Sequence, residues 1–193
     1  MTKLTFSKKS MVLMGATLSL MVFPAIKSWA GETHDFPKPT PEHQWLQKFV
    51  GEWESETEAF IDPTQPPVHA KGTESIQSLG GFWTTSEINS TMMDAPFKGL
   101  MTLGFDTEKQ KYVGTWVDSM TGQLWKYEGT VAPGSDTLTL ESEGTCPMNP
   151  GKLMKFREVI ELKDKDHKVF TSSMLGDDGK WMPLMTSKAH RKH

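Results

Sequence analysis

FVGEWESETEAF, residues 49–60, sets Glu52, Glu54, Glu56 and Glu58 at alternate positions, with Trp53, Ser55, Thr57 and Ala59 between them. A period of two belongs to an extended strand, whose successive side chains point to opposite faces. Burying four unpaired carboxylates side by side would be very costly, so the acidic face is the solvated one. The opposite face is small and partly polar, which predicts space behind it.

The same alternation continues downstream in segments of about ten residues divided by Gly, Pro, Asp and Asn. It predicts strands over 51–61, 68–79, 82–92, 98–105, 112–119, 123–131, 136–143, 153–163, 167–175 and 181–191. Short breaks such as Gly80-Gly81, Pro133-Gly134 and Asp177-Asp178-Gly179 join antiparallel neighbours, and no long crossover intervenes. The expected fold is all-β: an up-and-down antiparallel barrel of about ten strands, closed or nearly closed because closure removes the edges. A short helix precedes it. Thr40 is placed as cap, Pro41 at the first helical position and His43 where a capping Glu would help, and Trp45, Leu46, Phe49 and Val50 follow at helical spacing up to Gly51.

Residues 1–30 read as a secretory signal peptide. Lys3, Lys8 and Lys9 precede an uncharged run from Met11 to Phe23, and Ser28-Trp29-Ala30 supplies a cleavage site after Ala30. The run is too short to span a bilayer, so no transmembrane anchor is expected. Residues 31–41 form an extended leader and 42–193 a single barrel domain in a periplasmic or secreted protein. Loss of the signal peptide's four lysines takes the formal charge from -3 to -7, which argues against a nucleic-acid partner. The single cysteine, Cys146 in TCPMNPG, has a loop setting and excludes an internal disulfide. Oligomeric state is not legible.

Period two also places acids inward. Glu74 falls with Val68, Ala70, Gly72 and Ile76, opposite His69, Lys71, Thr73, Ser75 and Gln77. Glu158 falls with Met154, Phe156, Ile160 and Leu162, opposite Lys155, Arg157, Glu161 and Lys163. Asp118 falls with Gly114, Trp116 and Met120, next to Trp125 and Tyr127 of the following strand. Such acids orient a ligand or act as acid or base; alternatively they are paired inside the barrel with Arg157, a Tyr or Thr hydroxyl or a buried water. Trp83, Trp116, Trp125 and Tyr127 are either a cavity lining or ordinary core. Met92, Met93, Met101, Met154, Met174, Met182 and Met185 fill gaps or line an apolar site. Val113, Thr115 and Val117 form an ambiguous outer face. No nucleophile elbow, phosphate loop, dinucleotide fingerprint, CxxC or HExxH motif is present. With His34, His43, His69, His167, His190 and His193 scattered, no metal site and no cofactor is expected.

Gly51-x-Trp53 after a short helix, with Arg191 at the end of the last strand, resembles the calycin arrangement of lipocalins and fatty-acid-binding proteins. That resemblance implies that Trp53 plugs one end of the barrel and that Arg191 packs across its ring. Over nearly all the mature chain, GEW, GTESIQSLGGFW, GLMTLGFD, KYVGTWVDSM, LWKYEGT, FREVIEL and GDDGKWMPLM resemble the bacterial domain-of-unknown-function 1579 family. It implies a lipocalin-like barrel and carries no activity or catalytic residue with it. Nitric-oxide-binding haem barrels of similar architecture use a His iron ligand, for which no inward counterpart is found here.

Three functions fit this reading. The first is binding of a small, largely apolar molecule, with Glu74, Trp83, Trp116, Asp118, Trp125, Tyr127 and Glu158 as candidate site residues and Gly51, Trp53 and Arg191 closing the barrel. The second is an acid/base isomerase or hydrolase using inward carboxylates. The third is an interaction module with a filled barrel and an active outer surface.

Overall fold

A computed structural model of the chain describes residues 36–61, 64–92, 94–145 and 151–193. The proposed signal peptide (1–30), residues 31–35 of the leader and Cys146 lie outside those residues. Helix α1 (Pro41–Leu46) runs into a 3-10 turn at Gln47–Phe49. Thr40 is extended and Pro41 opens the helix. The His43 ring does the work of a capping Glu, its Nδ1 accepting from the Thr40 backbone N–H at 3.0 Å. His43 is buried, edge-on to Phe82 and Phe105.

Among the described residues ten strands follow: β1 (Gly51–Ala59), β2 (Val68–Leu79), β3 (Trp83–Met92), β4 (Ala95–Asp106), β5 (Lys111–Asp118), β6 (Trp125–Val131), β7 (Thr137–Thr145), β8 (Leu153–Leu162), β9 (His167–Leu175) and β10 (Trp181–Arg191). Each pairs antiparallel with its sequence neighbours, and β10 returns to β1, so the sheet is a closed up-and-down barrel as expected. β4 begins earlier than expected, at Ala95, and β6 later, at Trp125. Pro183, which has no N–H to give a ladder, sits where the β9/β10 register shifts. Leu184, just past it, packs with Met154, Phe156 and Met174.

The acidic stripe of β1 is on the outer wall, where cross-strand bases meet it. Glu56 stands opposite Lys71 on β2 and Lys188 on β10, and its carboxylate lies 3.0 Å from Lys71 Nζ. Glu54 approaches His190 at 3.5 Å and Lys192 at 3.3 Å. These pairs are exposed, so they contribute little to stability. The Glu56–Lys71 pair borders a surface groove of about 390 Å³ of mixed charge.

One end of the barrel is plugged. Leu46 and Phe49 enter a core with Trp53, Ile76, Leu103, Phe105, Tyr112, Leu138 and Leu162. Burial, and secondarily Glu42, pushes the Tyr112 hydroxyl up to about 12, and that hydroxyl donates to the Glu42 carbonyl at 3.3 Å. Trp53 is 1% exposed and its indole N–H donates to the Phe49 carbonyl at 2.8 Å. Arg191 lies over the Trp53 ring at 4.2 Å, donating through Nη1 to Val50 O at 2.6 Å and through Nη2 to Lys48 O at 2.9 Å. Gly51 has φ +137°, a conformation that strains any side-chain-bearing residue, and a Cβ there would also displace Arg191 Nη1. At the opposite end the β5/β6 and β9/β10 connections frame the mouth. No helix among the described residues is long and apolar enough to cross a membrane.

Candidate functional site

The lumen holds two polar centres. Nearer the plug, Glu74 on β2 takes an ion pair from Lys168 on β9 and a hydrogen bond from the Ser86 hydroxyl on β3. The Lys168 side chain is 8% exposed and that of Glu74 16%. Lys168 Nζ also stands 4.7 Å from the Trp53 ring centroid. Unlike charges in a low-dielectric setting attract strongly, and Ser86 takes up further capacity of the carboxylate, so this buried pair is well satisfied. Beside it is a hollow of about 30 Å³ bordered by Ile76, Thr84, Met101 and Ile160, room for on the order of one or two waters.

Closer to the mouth the polar groups are not satisfied. Glu158 on β8 is 7% exposed. Its Oε1 accepts from the Ser172 hydroxyl at 3.1 Å, but Oε2 is buried without a partner among the described residues, as is Ser142 Oγ. Leu140 is opposite Glu158, and Ser142 is one inward position further along β7, opposite Phe156. The two orphan oxygens are therefore on diagonal neighbours of one wall. Burial pushes the Glu158 carboxyl up to about 7, against a smaller downward pull from Ser172. Tyr127 faces the same region: burial first, then the charges of Glu158 and Asp118, raise its hydroxyl well above its ordinary value.

Trp116 and Trp125 are cross-strand partners on β5 and β6 and both remain part-exposed. Both lie close to the wall, since a Cβ on Gly99 would collide with the Trp116 ring and one on Gly144 with the Trp125 ring. Trp125 also meets Phe156 edge-on at 4.8 Å. Asp118 is busy at the rim: it accepts from Trp116 Nε1 at 3.0 Å and from the backbone N–H groups of Met120 and Thr121, each at 2.9 Å. It anchors the β5/β6 loop and orients the indole.

Several sequence expectations are corrected by this geometry. Trp83, expected in the lumen, is on the outer wall and 38% exposed, its ring lying over Gly104 of β4; Thr84 and Ser86 point inward instead. Met120 is in the rim loop, 49% exposed. Arg157 faces out, bonded to Glu141 at 2.7 Å and 4.0 Å over Trp181, so it is no partner for an inward acid. Lys168, Ser142 and Ser172 were missed. The run Lys168, Phe170, Ser172, Met174 does alternate on one face, and that signal was available. No group of His, Cys, Asp and Glu able to hold a metal is found among the described residues.

Comparison with solved structures finds the same barrel elsewhere. Rv2717c from M. tuberculosis aligns with a TM-score of 0.57 at 15% identity, over 81% of this chain and all of that one. The S-type phycobiliprotein lyase CPES from Guillardia theta aligns with a TM-score of 0.50 at 13% identity, over 80% of this chain and 99% of the other. At these identities the likeness is one of fold. None of the curated proteins matches the sequence significantly. Residues 38–191 match the family described as Protein of unknown function (DUF1579), and the chain belongs to that family.

Proposed function

We propose that this chain is an exported barrel protein that holds a small, largely apolar molecule in the mouth side of its lumen. One observation carries the reading: part-exposed inward indoles share a closed barrel with buried oxygens that have no hydrogen-bond partner among the described residues. Such a combination, apolar walls with a few convergent polar groups, is what a small-molecule site requires. The hollow beside Glu74, about 30 Å³, is too small for such a molecule. Native mass spectrometry of protein purified from its producing cells is expected to show a retained molecule that denaturation releases. Absence of any retained species, with no response of tryptophan emission to a panel of apolar compounds, overturns the reading. Export rests on the Lys3-to-Ala30 pattern, and the mature protein is expected to begin at Gly31 by mass.

An acid/base enzyme is a second reading, favoured by Glu158, a buried carboxyl with its pKa near 7. Glu74 is held by Lys168 and Ser86, so Glu158 would have to act without a second free carboxylate. Conversion of the retained molecule that is lost in Glu158→Gln would establish this reading over simple binding.

A further inference from the structure

We propose that the molecule held in this lumen carries a basic amine, its ammonium group seated between Glu158 Oε2 and Ser142 Oγ beside Trp116, Trp125 and Tyr127. This rests on the ligand-binding reading above and narrows it to organic cations with an apolar body.

The charges around Glu158 point there. β7 offers Leu140 and Ser142 inward, and β9 offers Phe170, Ser172 and Met174. β6 gives Tyr127 and β5 gives Trp116 and Asp118. Further charges facing the lumen are Glu74 and Lys168, which answer each other toward the plug. Among the described residues that face the lumen, Glu158 therefore has no cation of its own. A buried acid in that position is completed either by a proton or by a positive group brought from outside.

An ammonium fits better than a neutral donor for three reasons. It has three N–H donors, enough for both orphan oxygens. Its charge balances Glu158 once ionised. Aromatic side chains attract a cation through their quadrupole, more strongly where water is thinned out. The glycines at 99 and 144 let two of these rings lie close to the wall.

The test uses 4-phenylbutylamine and its uncharged counterpart 4-phenyl-1-butanol, titrated calorimetrically into the full mature protein at physiological salt. At pH 8 the amine is expected to bind at least about tenfold more tightly. As pH falls below about 7 a proton competes for Glu158, so amine affinity drops by up to about tenfold per pH unit while alcohol affinity stays level. Glu158→Gln is expected to remove both the preference and its pH dependence, and Ser142→Ala to weaken the amine severalfold. Equal binding of the two compounds, unchanged in Glu158→Gln, overturns the amine assignment and leaves the apolar-ligand reading standing. Binding of neither compound likewise overturns the amine assignment, and the retained-molecule experiment decides the apolar-ligand reading separately. Circular dichroism of each variant separates a lost site from a lost fold.

Discussion

Glu74 and Glu158 are the same residue type facing the same lumen, from β2 and β8, yet their surroundings differ. Glu74 has a cation, a hydroxyl and a plugged barrel end around it. Glu158 has one hydroxyl and an oxygen with no partner. A buried carboxylate whose partners come from the chain is part of the architecture, whereas one left incomplete is available to something else. Burial alone does not separate the two cases; the account of partners does.

The comparison breaks most sharply at Lys168. Lys168→Met removes the cation and strands Glu74 in the interior, which is expected to lower stability by about 3–5 kcal/mol in urea unfolding. Adding Glu74→Gln should recover a substantial part, because the stranded charge is then gone. A loss under about 1 kcal/mol for Lys168→Met alone would mean that Glu74 is readily rehydrated, and the plug-side centre would not be the closed structural pair described above.

Glu158 gives the opposite signature, in pH. Its carboxyl binds a proton more tightly in the folded chain, at about 7, than at the ordinary 4.5. Between those values the native state carries more protons than the unfolded one, so stability falls as pH rises from about 4.5 to 7 and is level above that. The fall amounts to about 3 kcal/mol. Unfolding measured across pH 4 to 8 should show it in the natural protein and not in Glu158→Gln. An identical profile in both would place the titration elsewhere.

Arg191 checks that the two centres are independent. It shares the Trp53 ring with Lys168 and donates to the carbonyls of Lys48 and Val50. Arg191→Ala is expected to cost about 2 kcal/mol through the lost ring contact and hydrogen bonds. It should leave the pH profile governed by Glu158 in place. A profile that changed with Arg191 would tie the plug to the mouth.

Much of this architecture was legible in residues 51–191, for a plain reason. Where one sheet face is wet and the other buried, side-chain alternation states the register, and β1, β2 and β8 could be assigned face by face. The site was harder to read because its wall reverses the usual code. Thr84 and Ser86 look like solvent-facing residues but point inward, while Trp83 looks like core and lies outside over Gly104. Lys168 escaped for the same reason: a lysine reads as surface, and its true partner is 94 residues away in sequence. Pairing across a barrel depends on closure, which no local pattern specifies. The glutamates of β1 show the favourable case, in which pattern and exposure agree.

The smallest expected effect tests the partner account most directly. Ser172 supplies the one hydroxyl that Glu158 receives, and that hydrogen bond favours the ionised form. Ser172→Ala leaves both carboxylate oxygens without it, so protonation should persist to a higher pH than in the natural protein. The falling limb of the stability profile then extends upward in pH, and at pH 8 the variant should be less stable by about 1 kcal/mol. Carboxyl carbon NMR of Glu158 reads the same midpoint without unfolding the protein. An unmoved midpoint would show that solvent from the mouth already serves this carboxylate. Glu158 would then resemble Glu74 in having its needs met, and the contrast between the two acids would lose its functional meaning.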